Sequence, residues 1–98
     1  MSPCLCRFVL SGNLHGGTVV ASYPFDDSAV HQPQGYYSKS EDDSLFRYLA
    51  LVYSQNNPVM KTGFPNCANA LDETFQDGIT NGAYWYDVAG KVALVLLF

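Results

Sequence analysis

Phe8-Val9-Leu10-Ser11-Gly12-Asn13-Leu14-His15-Gly16-Gly17 is the stretch on which the reading of this chain turns. Phe8, Val9 and Leu10 are strand formers, so residues 7–13 are expected to form a buried strand. Gly16 and Gly17 end the segment just after His15. On its own, a lone histidine before two glycines reads as a loop residue. Next comes a run rich in β-branched side chains (Thr18, Val19, Val20), so residues 18–23 are expected to form a second strand beside the first. Pro24 stops it. Residues 26–37, with Asp26, Asp27, Pro33 and Gly35, lack periodicity and read as a loop.

The clearest helical signal follows. Ser40 is a helix-capping residue type, and Glu41, Asp42 and Asp43 would meet the positive end of the helix dipole in the first turn. Leu45, Leu49, Val52 and Tyr53 recur at one face of a helix over residues 40–55, and that face is expected to pack on the core. Asn56, Asn57 and Pro58 end it. Residues 59–77 are irregular, Asp77-Gly78 and Asn81-Gly82 are turn signals, and Tyr84-Trp85-Tyr86 forms an aromatic cluster suited to packing.

With 98 residues the chain has room for one small domain. Its 48% hydrophobic and 14% charged residues are a globular balance, not a disordered one. A net charge of -4 with five Lys and Arg argues against nucleic-acid binding, which needs clustered cations. It is compatible with a basic substrate. Of three cysteines, Cys4 and Cys6 stand too close for an unstrained disulfide and do not make a Cys-x-x-Cys metal hook. The apolar run at residues 92–98 is far shorter than the roughly 20 residues of a membrane span. No targeting segment is visible.

The opening stretch resembles the zinc metallocarboxypeptidases, in particular the regulatory (carboxypeptidase N/E) subfamily that removes C-terminal Arg or Lys. The resemblance continues through Tyr23-Pro24-Phe25-Asp26-Asp27, Tyr37-Ser38-Lys39-Ser40 and Phe46-Arg47-Tyr48-Leu49-Ala50. It ends with Gly78-Ile79-Thr80-Asn81-Gly82-Ala83 and Trp85-Tyr86. It covers residues 8–90 as a partial zinc carboxypeptidase domain, with residues 1–7 and 91–98 as non-matching ends. The fold it implies is α/β, a mixed twisted sheet flanked by helices. The chain is expected to supply the His15 strand, its neighbour at 18–23 and the helix at 40–55.

In such enzymes zinc is held by two His and one Glu, with water in the open position. The resemblance maps His15 onto one of these ligands. A neutral imidazole at the end of a strand presents its nitrogen at a fixed point, and Gly16 and Gly17 leave space around it. Asp26 maps onto the carboxylate that receives the substrate's Lys or Arg side chain, a pairing suited to a partly desolvated pocket. Asp27 is expected as a turn or surface group. Cys67 resembles a cysteine that is paired with a more C-terminal partner in the family.

The reaction uses zinc to polarise the carbonyl and a Glu as general base. The His-x-x-Glu ligand motif, the Asn-Arg carboxylate-binding segment and the catalytic Glu of the family have no match in this sequence, and His31, the only other histidine, has no ligand spacing to His15. No catalytic residue is therefore expected within the chain. Zn2+ is expected in the intact domain but not as a stable companion of this chain. The implied partner is a peptide or protein ending in Arg or Lys, and the implied compartment is the secretory pathway. The alternatives are a non-catalytic interaction fragment or truncated by-product, and a self-standing small α/β binding domain. Marginal stability is expected, from open sheet edges and an apolar tail.

Overall fold

The computed structural model describes residues 9–28, 35–85 and 95–97. Four short strands make one sheet: β1 (Asn13–His15), β2 (Val20–Tyr23), β3 (Ile79–Asn81) and β4 (Val95–Leu97), in the order β1-β4-β2-β3. β1 and β4 are parallel, β4 and β2 antiparallel, and β2 and β3 parallel, so the sheet is mixed. Helix α1 (Asp43–Gln55) and the single turn α2 (Gly82–Trp85) pack with it. The α/β class with a mixed sheet and helices is as the sequence indicates.

β2 is buried along its whole length. Its alternating side chains explain why. Ala21 and Tyr23 join Ala50 and Met60 in one cluster, with Val19, Phe46, Tyr53 and Ile79 packed on its margin. Val20 points the other way, to Phe75 and Trp85, whose rings meet edge-to-face at 5.9 Å. A strand covered on both faces needs apolar residues at consecutive positions, which a run such as Val19-Val20-Ala21 supplies.

Three expectations are corrected. The buried strand expected at residues 7–13 is absent from its described part, residues 9–13: β1 starts at Asn13, and Val9 is 99% exposed, while residues 7 and 8 lie outside the described residues. Strand formers become strand only where a neighbour pairs with them, and β1 is the edge of the sheet. Nor are the first two strands neighbours, because β4 lies between them. Part of the apolar C-terminal run thus forms an inner strand instead of an open tail; residues 92–94 and 98 lie outside the described residues.

The third correction concerns α1. Leu45 and Val52, assigned to the core-facing stripe, are exposed, and the helix instead buries Asp43, Ala50 and Ser54 and packs Phe46 and Tyr53 inward. Two polar anchors set this rotation. The Tyr37 hydroxyl donates to Asp43 Oδ1 at 2.7 Å, and Ser54 Oγ donates to the Asp77 carbonyl at 2.8 Å. Buried polar groups demand partners, and rotating α1 to bury Leu45 would strip both of theirs. The cap differs too. α1 begins at Asp43, and Ser40 Oγ accepts the Asp42 amide at 3.0 Å in the turn ahead of it.

Candidate functional site

His15 is the last residue of β1, in register with Leu97 of β4, which is itself in register with Val20 of β2. An added Cβ at Gly16 would meet nothing within 4 Å, so the backbone just after His15 borders open space. Gly17, at φ +154°, makes the turn out of the strand. This is the setting a strand-end ligand requires. β4 brings no carboxylate to it, since its residues are Val95, Leu96 and Leu97.

Asp26 lies past the far end of β2. From Val20, level with His15, β2 runs about 10 Å to Tyr23 before Pro24 turns the chain. Asp26 is 7% exposed and sits against the start of α2. A Cβ on Gly82 would fall 1.8 Å from Asp26 Oδ1, so only glycine allows this approach. Residues 81–83 clamp residues 24–26 at successive points: Asn81 Nδ2 donates to the Pro24 carbonyl at 2.9 Å, and the Ala83 amide donates to the Phe25 carbonyl at 2.8 Å.

Asn81 does more than the turn residue its sequence context suggests. It is buried, and its amide is fully engaged. Nδ2 also donates to the Ser38 carbonyl at 3.0 Å, while Oδ1 accepts the amides of Ser38 at 3.0 Å and Tyr84 at 3.2 Å. One side chain thereby ties together the Asp26 loop, the segment before α1, and α2. Nothing in the local sequence signals this, because an Asn-Gly pair reads first as a turn.

A cleft of about 280 Å3 opens elsewhere, lined by residues that include Tyr23, Tyr37, Arg47, Thr80, Asn81 and Tyr84. Neither His15 nor Asp26 lines it. On its wall the Tyr37 hydroxyl faces two acceptors for its single proton, Asp43 Oδ1 at 2.7 Å and the Tyr23 hydroxyl at 3.0 Å. Burial, then the bonds to Tyr23 and Asp43, hold the Tyr37 phenol well above its usual range, with Arg47 opposing. Arg47 is held above its own high range, first by Tyr37. This network braces α1 against β2.

A tetrahedral zinc centre needs several converging donors. Among the described residues no group of three or more His, Cys, Asp and Glu side chains converges, and His31 lies outside them. The described donor set does not by itself fit a complete zinc site. Cys67 is a free thiol, with Sγ 3.7 Å from Thr18 Oγ1; Cys4, Cys6 and Tyr86 lie outside the described residues. Among the described residues no helix is long and apolar enough to cross a membrane.

The sequence profile described as zinc carboxypeptidase matches residues 5–94, nearly the whole chain. The chain belongs to the zinc carboxypeptidase family. Among its zinc carboxypeptidase relatives, carboxypeptidase D of Mus musculus is 68% identical over 84 residues, 86% of this chain and 6% of that protein. Carboxypeptidase D of Homo sapiens is 67% identical over the same length, again 6% of the protein. The carboxypeptidase N catalytic chain of Homo sapiens is 48% identical over 87 residues, 85% of this chain and 18% of that protein. The chain therefore spans a small part of the zinc carboxypeptidases it matches.

Proposed function

We propose that this chain carries one part of a zinc carboxypeptidase centre that removes C-terminal Arg or Lys from peptides and proteins. His15 supplies one imidazole to zinc, and Asp26 receives the basic side chain of the substrate. The remaining ligands and the general base come from other chain segments, so the isolated chain does not hydrolyse peptides. The observation that supports this most is the placement of His15 at the open end of β1, beside Gly16, within a sequence 68% identical to carboxypeptidase D. The burial of Asp26 supports its role, because a carboxylate pairs with a cation more strongly when partly desolvated. The compartment that fits this reading is the secretory pathway.

A chimera tests the residue assignments. The matching 84 residues of mouse carboxypeptidase D are replaced by those of this chain. Release of Arg from an Arg-ended peptide is expected to survive the exchange. It should fall by several orders of magnitude with His15→Ala, together with bound zinc. Asp26→Ala should keep the zinc and raise KM selectively for Arg- and Lys-ended peptides. Normal zinc content and activity in the His15→Ala chimera would refute the assignment.

A further inference from the structure

α1 carries two apolar faces, and the core uses one. On the opposite side Leu45, Tyr48, Leu49 and Val52 follow one another at i, i+3, i+4 and i+7, one continuous stripe. Leu45 is 55% exposed, Tyr48 63% and Val52 45%, with Leu49 half-buried. Single exposed apolar residues are ordinary, whereas a contiguous stripe of four marks a contact surface.

The spacing of the stripe favours one occupant. Leu45 and Val52 stand equally far from the midpoint between Tyr48 and Leu49. A two-fold axis through that midpoint lays an antiparallel copy of α1 on the first, with Leu45 on the partner's Val52 and Tyr48 on the partner's Leu49. Such an isologous contact requires self-complementarity, and this stripe has it. The charges agree. Exposed Glu41 and Asp42 stand at one end of α1, while Gln55, Asn56 and Asn57 end it without an acid and exposed Lys61 follows. In the antiparallel pair each acidic end faces amides and a lysine, and the two helix dipoles oppose. Elsewhere among the described residues, exposed Val9, Leu10 and Leu14 lie at or before β1, a strand of only three residues for edge pairing, and exposed Tyr36, Phe64, Leu71 and Tyr84 stand in other segments, off α1.

We propose that the chain associates with a second copy of itself through the Leu45–Val52 face of α1, as a two-fold dimer. The proposal does not depend on the zinc or substrate assignments. Sedimentation velocity on the full chain, across a hundredfold concentration range, tests it. The expected result is a reversible dimer. L45K and V52E should each weaken dimerisation at least tenfold. The double variant L45K/V52E, which sets opposite charges across the axis, should restore it, and L14K should leave it unchanged. Circular dichroism confirms that each variant is folded. A monomer at all concentrations overturns the proposal, leaving the stripe exposed or covered by another partner. So does a dimer that survives L45K, one abolished by L14K, or failure of the double variant to recover.

Discussion

Replacing Asn81 by alanine removes four hydrogen bonds at once: two from Nδ2, to Pro24 O and Ser38 O, and two to Oδ1, from the amides of Ser38 and Tyr84. The bond to Pro24 O is buried, so that carbonyl loses its partner without gaining water, at about 1–3 kcal/mol. The other three groups are part-buried, and each loses a net ~0.5–1 kcal/mol as water enters the space left. The sum is about 2.5–6 kcal/mol, a large share of the ~5–15 kcal/mol that holds a domain of this length. Urea unfolding followed through the single tryptophan, Trp85, reads the loss. N81D sharpens the test. It keeps the acceptor but turns a carboxylate toward two carbonyl oxygens, which favours the protonated form and raises the folded pKa of the new carboxyl above its unfolded value near 3.9. Stability from that group is present below about pH 4 and lost as pH rises. N81D should thus match or exceed the alanine penalty at pH 7 and recover toward pH 3, with N81A as reference. A penalty under about 1 kcal/mol for N81A, or no pH-dependent difference between the two, would refute the clamp.

Other perturbations follow from the same geometry. Gly82→Ala drives a methyl into Asp26 and should cost at least ~1–3 kcal/mol by overpacking, seen as a lower urea midpoint. Tyr37→Phe removes the 2.7 Å bond to the Asp43 carboxylate and should lower the urea midpoint at neutral pH. Because folding raises the Tyr37 pKa above its ordinary value of 10.0, the unfolded chain loses that proton first, so stability falls as pH rises beyond about 10; Tyr37→Phe should make that fall shallower. Leu96→Pro removes an amide from β4, which among the described residues joins β1 to the rest of the sheet, and hydrogen exchange at Leu14 should accelerate far more than at Tyr53.

What the sequence makes legible depends on how local the physics is. The β2 run, α1 and the Asp77-Gly78 turn, with Asp77 at φ 60° and Gly78 at φ 72°, follow from side-chain type and spacing. The rotation of α1 does not. Its two stripes are equally helical in period, and the choice rests on Asp43 finding Tyr37 in the segment ahead of the helix and Ser54 finding Asp77, 23 residues on, contacts that spacing does not reveal. The same holds for Asn81, whose partners lie at Pro24, Ser38 and Tyr84. Nor could a strand at 95–97 entering between β1 and β2 be read from a seven-residue apolar tail. The family resemblance, not spacing, points to His15 and Asp26. The structure sets them at different ends of β2, one beside open space and the other buried under Gly82.

The proposed centre rests on a division of labour: one imidazole from this chain, the other metal ligands and the base from other chain segments. Incubating the purified chain with zinc and an Arg-ended peptide measures it directly. No free arginine should appear above the rate in buffer. Chelator-sensitive release that disappears in His15→Ala would contradict the account.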